Sequence, residues 1–118
     1  MAARTGRERN LIARDFRMDS FKGNNNDFDD WAFKFKRVVR SMNLEVYQLM
    51  VESESRNETI LESAMTEDMR HRSGELYDIL CQNTAGEALS VIKMVGDMEG
   101  IKAWQVLFKK YNPKTMAR

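Results

Sequence analysis

DFDDWAFKFKRVVRSMN, residues 27–43, decides how this chain folds. At helical spacing Trp31, Phe35, Val38 and Met42 recur at i, i+4, i+7 and i+11, which puts them on one face. Phe28, Ala32 and Val39 widen that face into a broad apolar stripe. Asn26 or Asp27 can cap the start. Asp27, Asp29 and Asp30 lie where a helix dipole favours negative charge, and Lys34, Lys36, Arg37 and Arg40 where it favours positive charge. Periodicity, cap and charge agree on one helix. So wide an apolar face is not stable alone in water, so the helix is expected at the centre of a small helical core.

The rest of the composition fits that core. The 118 residues suffice for one domain. Apolar residues make up 42% and charged residues 31%, the usage of a globular chain. One proline, six glycines and no sustained period-two alternation argue against a many-stranded β fold. No run of about 18 apolar residues occurs, so no membrane span is expected. MAARTGRERN at the start has no apolar h-region. A secretory signal is therefore not expected, and a cytoplasmic location is. Asn57-Glu58-Thr59 then matches a glycosylation sequon by chance. The expected fold is all-α, a small bundle of about five short helices over residues 21–118, with a flexible basic arm over residues 1–20.

Taken in order, Phe21-Lys22-Gly23 leads into Asn24-Asn25-Asn26, read as a loop from which Phe21 folds back onto the core. Asn43 can stop the first helix and cap the next. Residues 44–51 are apolar nearly all round and read as a short buried helix. ESESRNE, residues 52–58, has no apolar residue and reads as an exposed loop or frayed helix end. Thr66-Glu67-Asp68 opens a firm helix over 67–83, with 58–65 left open. Thr84 and Glu87 have capping-box spacing before a helix carrying Ala88, Ile92 and Val95, which Gly96 ends. In the last full helix Ile101, Trp104, Phe108 and Tyr111 share a face, Lys109 and Lys110 suit its C-terminal end, and Asn112-Pro113 stops it.

Catalytic chemistry has no visible constellation. The glycines are scattered singly, so there is no phosphate loop. Asp29-Asp30 reads as first-turn capping charge. Cys81, in LYDILC, reads as a packing residue, and His71, in EDMRHRSGE, as a surface residue. One cysteine and one histidine exclude a disulfide framework and a zinc knuckle within the chain. No enzyme activity, cofactor, metal ligand or small-molecule substrate is expected.

Three pieces together resemble the Gag polyprotein of copia-type LTR retrotransposons. The first is Phe21, Gly23, Asn26, Phe28 and Trp31, followed by Phe35, Val38 and Met42, similar to that family's Phe-x-Gly, Asn-aromatic, x-x-Trp opening. The second is Ala103, Trp104, Leu107 and Tyr111, similar to its Ala-Trp-x-x-Leu-x-x-x-Tyr helix. The third is the pair of short helices between them, residues 76–95. The loop from Gly23 to Phe28 is about two residues longer than the family pattern, which makes this a divergent branch. The resemblance implies a capsid-like domain, incomplete at its C-terminal end: a fragment, degenerate copy or domesticated remnant. It implies self-assembly into a particle around element RNA. Phe21, Gly23, Phe28, Trp31, Phe35, Val38, Ala103, Trp104, Leu107 and Tyr111 would be structural anchors.

Charge adds a physical reading of assembly. Residues 1–22 carry six basic and three acidic residues, a net +3, and residues 101–118 carry five basic and no acidic residues, a net +5. Residues 52–78 carry eight acidic and three basic residues, a net −5. A bipolar chain suits head-to-tail self-association or a polyanion contact. Arg4, Arg7, Arg9, Lys109, Lys110 and Lys114 are the expected assembly or RNA contacts. Two alternatives remain open: a non-specific nucleic-acid-binding helical module, and a host helical protein-interaction domain.

Overall fold

The computed structural model describes residues 18–56, 58, 65–96 and 98–112. They form five α-helices: α1, Asn25–Met42; α2, Leu44–Ser55; α3, Glu67–Gln82; α4, Gly86–Val95; and α5, Gly100–Tyr111. No strand forms among the described residues; Phe21 and Thr84 make one isolated parallel bridge. The all-α expectation and the five helices hold.

The helix starts follow from local chemistry. Asn24 caps α1 by accepting from Asn26 N at 2.9 Å. The helix therefore begins inside the asparagine run, earlier than the loop reading placed it, because the first asparagine itself satisfies a free amide of the first turn. Asn43 has the double role expected of it. Its N–H donates to Val39 O (2.8 Å), ending α1, and its Oδ1 accepts from Val46 N (3.0 Å), starting α2. Thr66 Oγ1 accepts from Met69 N at 3.1 Å and opens α3. The capping box expected at Thr84 does not form. Thr84 Oγ1 donates back to Leu80 O (2.7 Å), Glu87 takes another partner, and Ala85 stands at the cap without a side-chain bond. A buried threonine next to an open helix end finds that carbonyl first.

The core is aromatic where α1 meets α5. Trp31 stacks on Phe35 (ring centroids 5.0 Å) and Phe35 on Trp104 (5.6 Å). The two tryptophans lie 6.1 Å apart, so the two helices that carry them share one core. Phe21 closes its end, 5.3 Å from Phe28 and 5.0 Å from Tyr111. It is held there by Phe21 N to Asn83 O (3.0 Å) and Ala85 N to Phe21 O (2.9 Å).

The central helix differs from the one expected. α5, not α1, packs against α2, α3 and α4, while α1 lies against α2. On the α3 side Gly100 makes this possible. A Cβ at that position would run into Ser73 O and would stand 2.7 Å from Tyr77 N, so glycine lets the α5 and α3 backbones touch. Of the two readings open for residues 52–58, the helix end holds for 52–55, which continue α2; the difference is that Ser53 is buried rather than exposed.

Candidate interaction surface

Two kinds of surface meet on α1 and α2. The first is the C-terminal end of α2, where last-turn carbonyls need donors from outside the helix. Gln105, buried on α5, supplies one and also holds the chain just beyond: its Nε2 donates to Ser53 O (3.0 Å) in the last turn and to Arg56 O (3.2 Å) and Glu58 O (3.1 Å) after it. Glu54 Oε2 accepts from Trp104 Nε1 (2.9 Å) and pairs with Lys36 Nζ (2.8 Å). Lys36 lies over the Phe108 ring at 5.7 Å, and Lys109 Nζ reaches Glu54 O at 3.5 Å. Positive charge at a helix C-terminus is favourable. These bonds bind α1, α2 and α5 together.

This clamp uses charges that the sequence assigned to assembly. Lys109 is half-buried against α2, whereas Lys110 is exposed, with its amine 5.6 Å from the Tyr111 ring centroid. Within the acidic stretch Arg72 pairs with Asp68 and Glu75, both at 3.2 Å, and Arg56 with Glu52 at 2.9 Å. These pairs lie within the stretch and are already counted in its net −5; Lys36 of α1 offsets one further charge, at Glu54. Arg4, Arg7, Arg9 and Lys114, and the expected arm up to residue 17, lie outside the described residues. So do residues 59–64. Met18 N donates to Asn83 Oδ1 (3.1 Å), so the described chain is tied to the bundle from Met18 onward.

The anchors of the family-like motifs converge. Phe21, Phe28, Trp31, Phe35, Ala103, Trp104, Leu107 and Tyr111 are all buried, and Val38 is half-buried while Val39 beside it is fully buried. Gly23 adopts φ 113°, and a Cβ there would meet Glu87 Cβ at 3.1 Å and Tyr111 Oη at 3.3 Å. Next to it the Tyr111 hydroxyl donates to Glu87 Oε1 at 2.5 Å. Burial first, then the bond and charge of Glu87, push the Tyr111 hydroxyl well above its ordinary pKa.

The second surface is the outer face of α1. Asp29, Asp30, Lys34 and Arg37 are exposed and form no ion pair among the described residues. Phe33 stands among them, 64% exposed. Leu44, Val51, Met94 and Met98 are exposed too; Leu44, Met94 and Met98 stand at helix ends or in a connection, and of the two inside a helix Phe33 is more exposed than Val51 of α2, at 39%. Beside this face, near the α1 start, is a cleft of about 490 Å³ lined by Asp27, Asp30, Lys22, Lys34 and Trp31 among others. Its charges are of both signs, and no nucleophile–base pair lies among them. Among the described residues no group of three His, Cys, Asp or Glu could hold a metal ion, and no helix is long and apolar enough to cross a membrane.

Glu54, Gln105 and Phe33 were not singled out from sequence. For Glu54 and Gln105 no local signal exists, since their partners are about 50 residues away. Phe33 had one: an aromatic on the polar side of an otherwise clean helical wheel. Comparison with known proteins gives no match to a family model, a curated protein or a solved structure.

Proposed function

We propose that this chain is a Gag-like structural protein of a copia-type LTR retrotransposon, assembling in the cytoplasm into a capsid-type particle around element RNA. The observation that supports this reading is the meeting of the two motif helices. Phe21, Phe28 and Trp31 from one end of the chain and Trp104 and Tyr111 from the other form a single aromatic cluster. The residues that carry the resemblance are thus anchors of one domain. On this reading the residues hold a shell subunit together and perform no chemistry.

The experiment is light scattering and electron microscopy of the purified chain at rising concentration, with and without RNA. Assembly into multi-copy particles is the expected result. RNA binding that falls steeply with salt and leaves the protein monomeric would favour the nucleic-acid module instead. A chain that neither associates nor binds RNA would leave a host interaction domain.

A further inference from the structure

The outer face of α1 is complementary to its own reverse. Asp30, Phe33, Arg37 and Arg40 recur at i, i+3, i+7 and i+10 and form one exposed stripe. Asp27, Asp29 and Asp30 precede Phe33, and Lys34, Arg37 and Arg40 follow it. Phe33 and Lys34 sit at the midpoint of Asn25–Met42. The helix dipole accounts for acids before bases. It does not account for a phenylalanine 64% exposed at the centre of the stripe, between Asp30 and Arg37, which form no ion pair within the described residues; Arg40, one turn on, lies over the Tyr47 ring at 5.6 Å.

We propose that this face docks a second copy of the chain, α1 against α1, antiparallel about a two-fold axis beside Phe33 and Lys34. Such an axis makes every contact reciprocal. The two Phe33 rings meet near the centre, and Asp30 of each copy faces Arg37 of the other. A parallel pairing would set Asp30 on Asp30 and Arg37 on Arg37, which like-charge repulsion disfavours. RNA fits this face poorly, because half of it is acidic. The interface rests on the self-assembly reading for its setting and supplies that reading with one defined contact.

Sedimentation of the full chain tests it. Mass should rise with concentration from 13.8 kDa toward twice that value and fall back with added salt. Asp30→Lys alone and Arg37→Asp alone each turn both trans pairs repulsive and should lose the dimer, with helical circular dichroism unchanged. Three results should regain or remove it accordingly: the double reversal D30K/R37D restores it, an equal mixture of the two single variants restores it as a heterodimer, and Phe33→Ser loses it. The interface is overturned if the wild type stays monomeric at its highest soluble concentration, if the single variants dimerise like the wild type, or if the double reversal stays monomeric. A dimer that obeys the reversals but never grows into particles upholds the interface and removes the Gag reading. Particles that form regardless of these substitutions do the opposite.

Discussion

The indole nitrogen of Trp104 on α5 donates to Glu54 on α2, 50 residues earlier, at 2.9 Å. The same carboxylate oxygen holds Lys36 of α1 at 2.8 Å. One acid in a stretch without apolar residues thus joins three helices. Replacing Glu54 with leucine leaves a buried indole N–H and a largely buried ammonium without their partner. The expected loss is about 1–3 kcal/mol, read by urea denaturation. Glu54→Gln keeps an acceptor for the indole and should lose less. Equal losses for the two variants would count against the bond to Trp104.

Truncating Trp104 to alanine should cost roughly 3–5 kcal/mol. Its ring lies within 6.5 Å of Phe28, Trp31, Phe35 and Phe108, centroid to centroid, so four aromatic neighbours lose a face. That is a large share of the ~5–15 kcal/mol of an ordinary domain. An unchanged melting temperature would contradict the shared aromatic core.

Gly100→Ala separates packing from propensity. In an open helix the change would stabilise by about 1 kcal/mol. Here the new methyl group meets Ser73 O and Tyr77 N of α3. Overpacking of this kind costs about 1–3 kcal/mol, so the net effect should be a loss and Tm should fall. A rise in Tm would show that α3 and α5 do not touch at Gly100.

Alkaline pH should weaken the fold through Tyr111. Its folded pKa is raised, chiefly by burial and then by Glu87, while the unfolded value is about 10. Above pH ~10 the unfolded chain therefore binds fewer protons at this site than the folded chain, and stability declines as pH rises. Below pH ~10 the contribution is fully present. Tyr111→Phe should flatten this part of the stability–pH curve and lose the bond to Glu87. Denaturation measured at two pH values on either side of 10 decides it; an identical alkaline slope in both proteins would exclude Tyr111 as its source.

Lys110→Glu addresses the wider charge pattern. Lys110 is exposed, unlike Lys109, so its reversal should lower any salt-sensitive association while leaving helix content unchanged. Reversing Lys109 should also loosen the end of α2, which it approaches. Light scattering paired with circular dichroism separates the two outcomes. Equal association by the Lys110→Glu protein and the wild type would count against an assembly role for Lys110.

The helices were legible because their apolar residues repeat at the period of a helix and their caps are local. Asn43 and Thr66 act within three residues of themselves. What escaped was long-range and polar. Ser53 and Glu54 look like loop residues by hydropathy, yet they are packed because Gln105, Trp104 and Lys36 satisfy them. The central place of α5 escaped for a related reason: hydropathy weights the wide stripe of α1 and gives no weight to the missing side chain of Gly100. Thr84 misled because its cap geometry was judged within one turn, whereas its hydroxyl turned back to α3.

Phe21 lies against Tyr111, and Trp31 against Trp104, so the first residues of the core close on the last helix. During synthesis at about 5–20 residues per second, α1 leaves the ribosome several seconds before α5. Its stripe of Phe28, Trp31 and Phe35 has no lid in that interval. The nascent chain thus passes through a sticky stage that only the arrival of α5 ends, and chaperone demand should depend on how fast the stretch from α2 to α5 is translated.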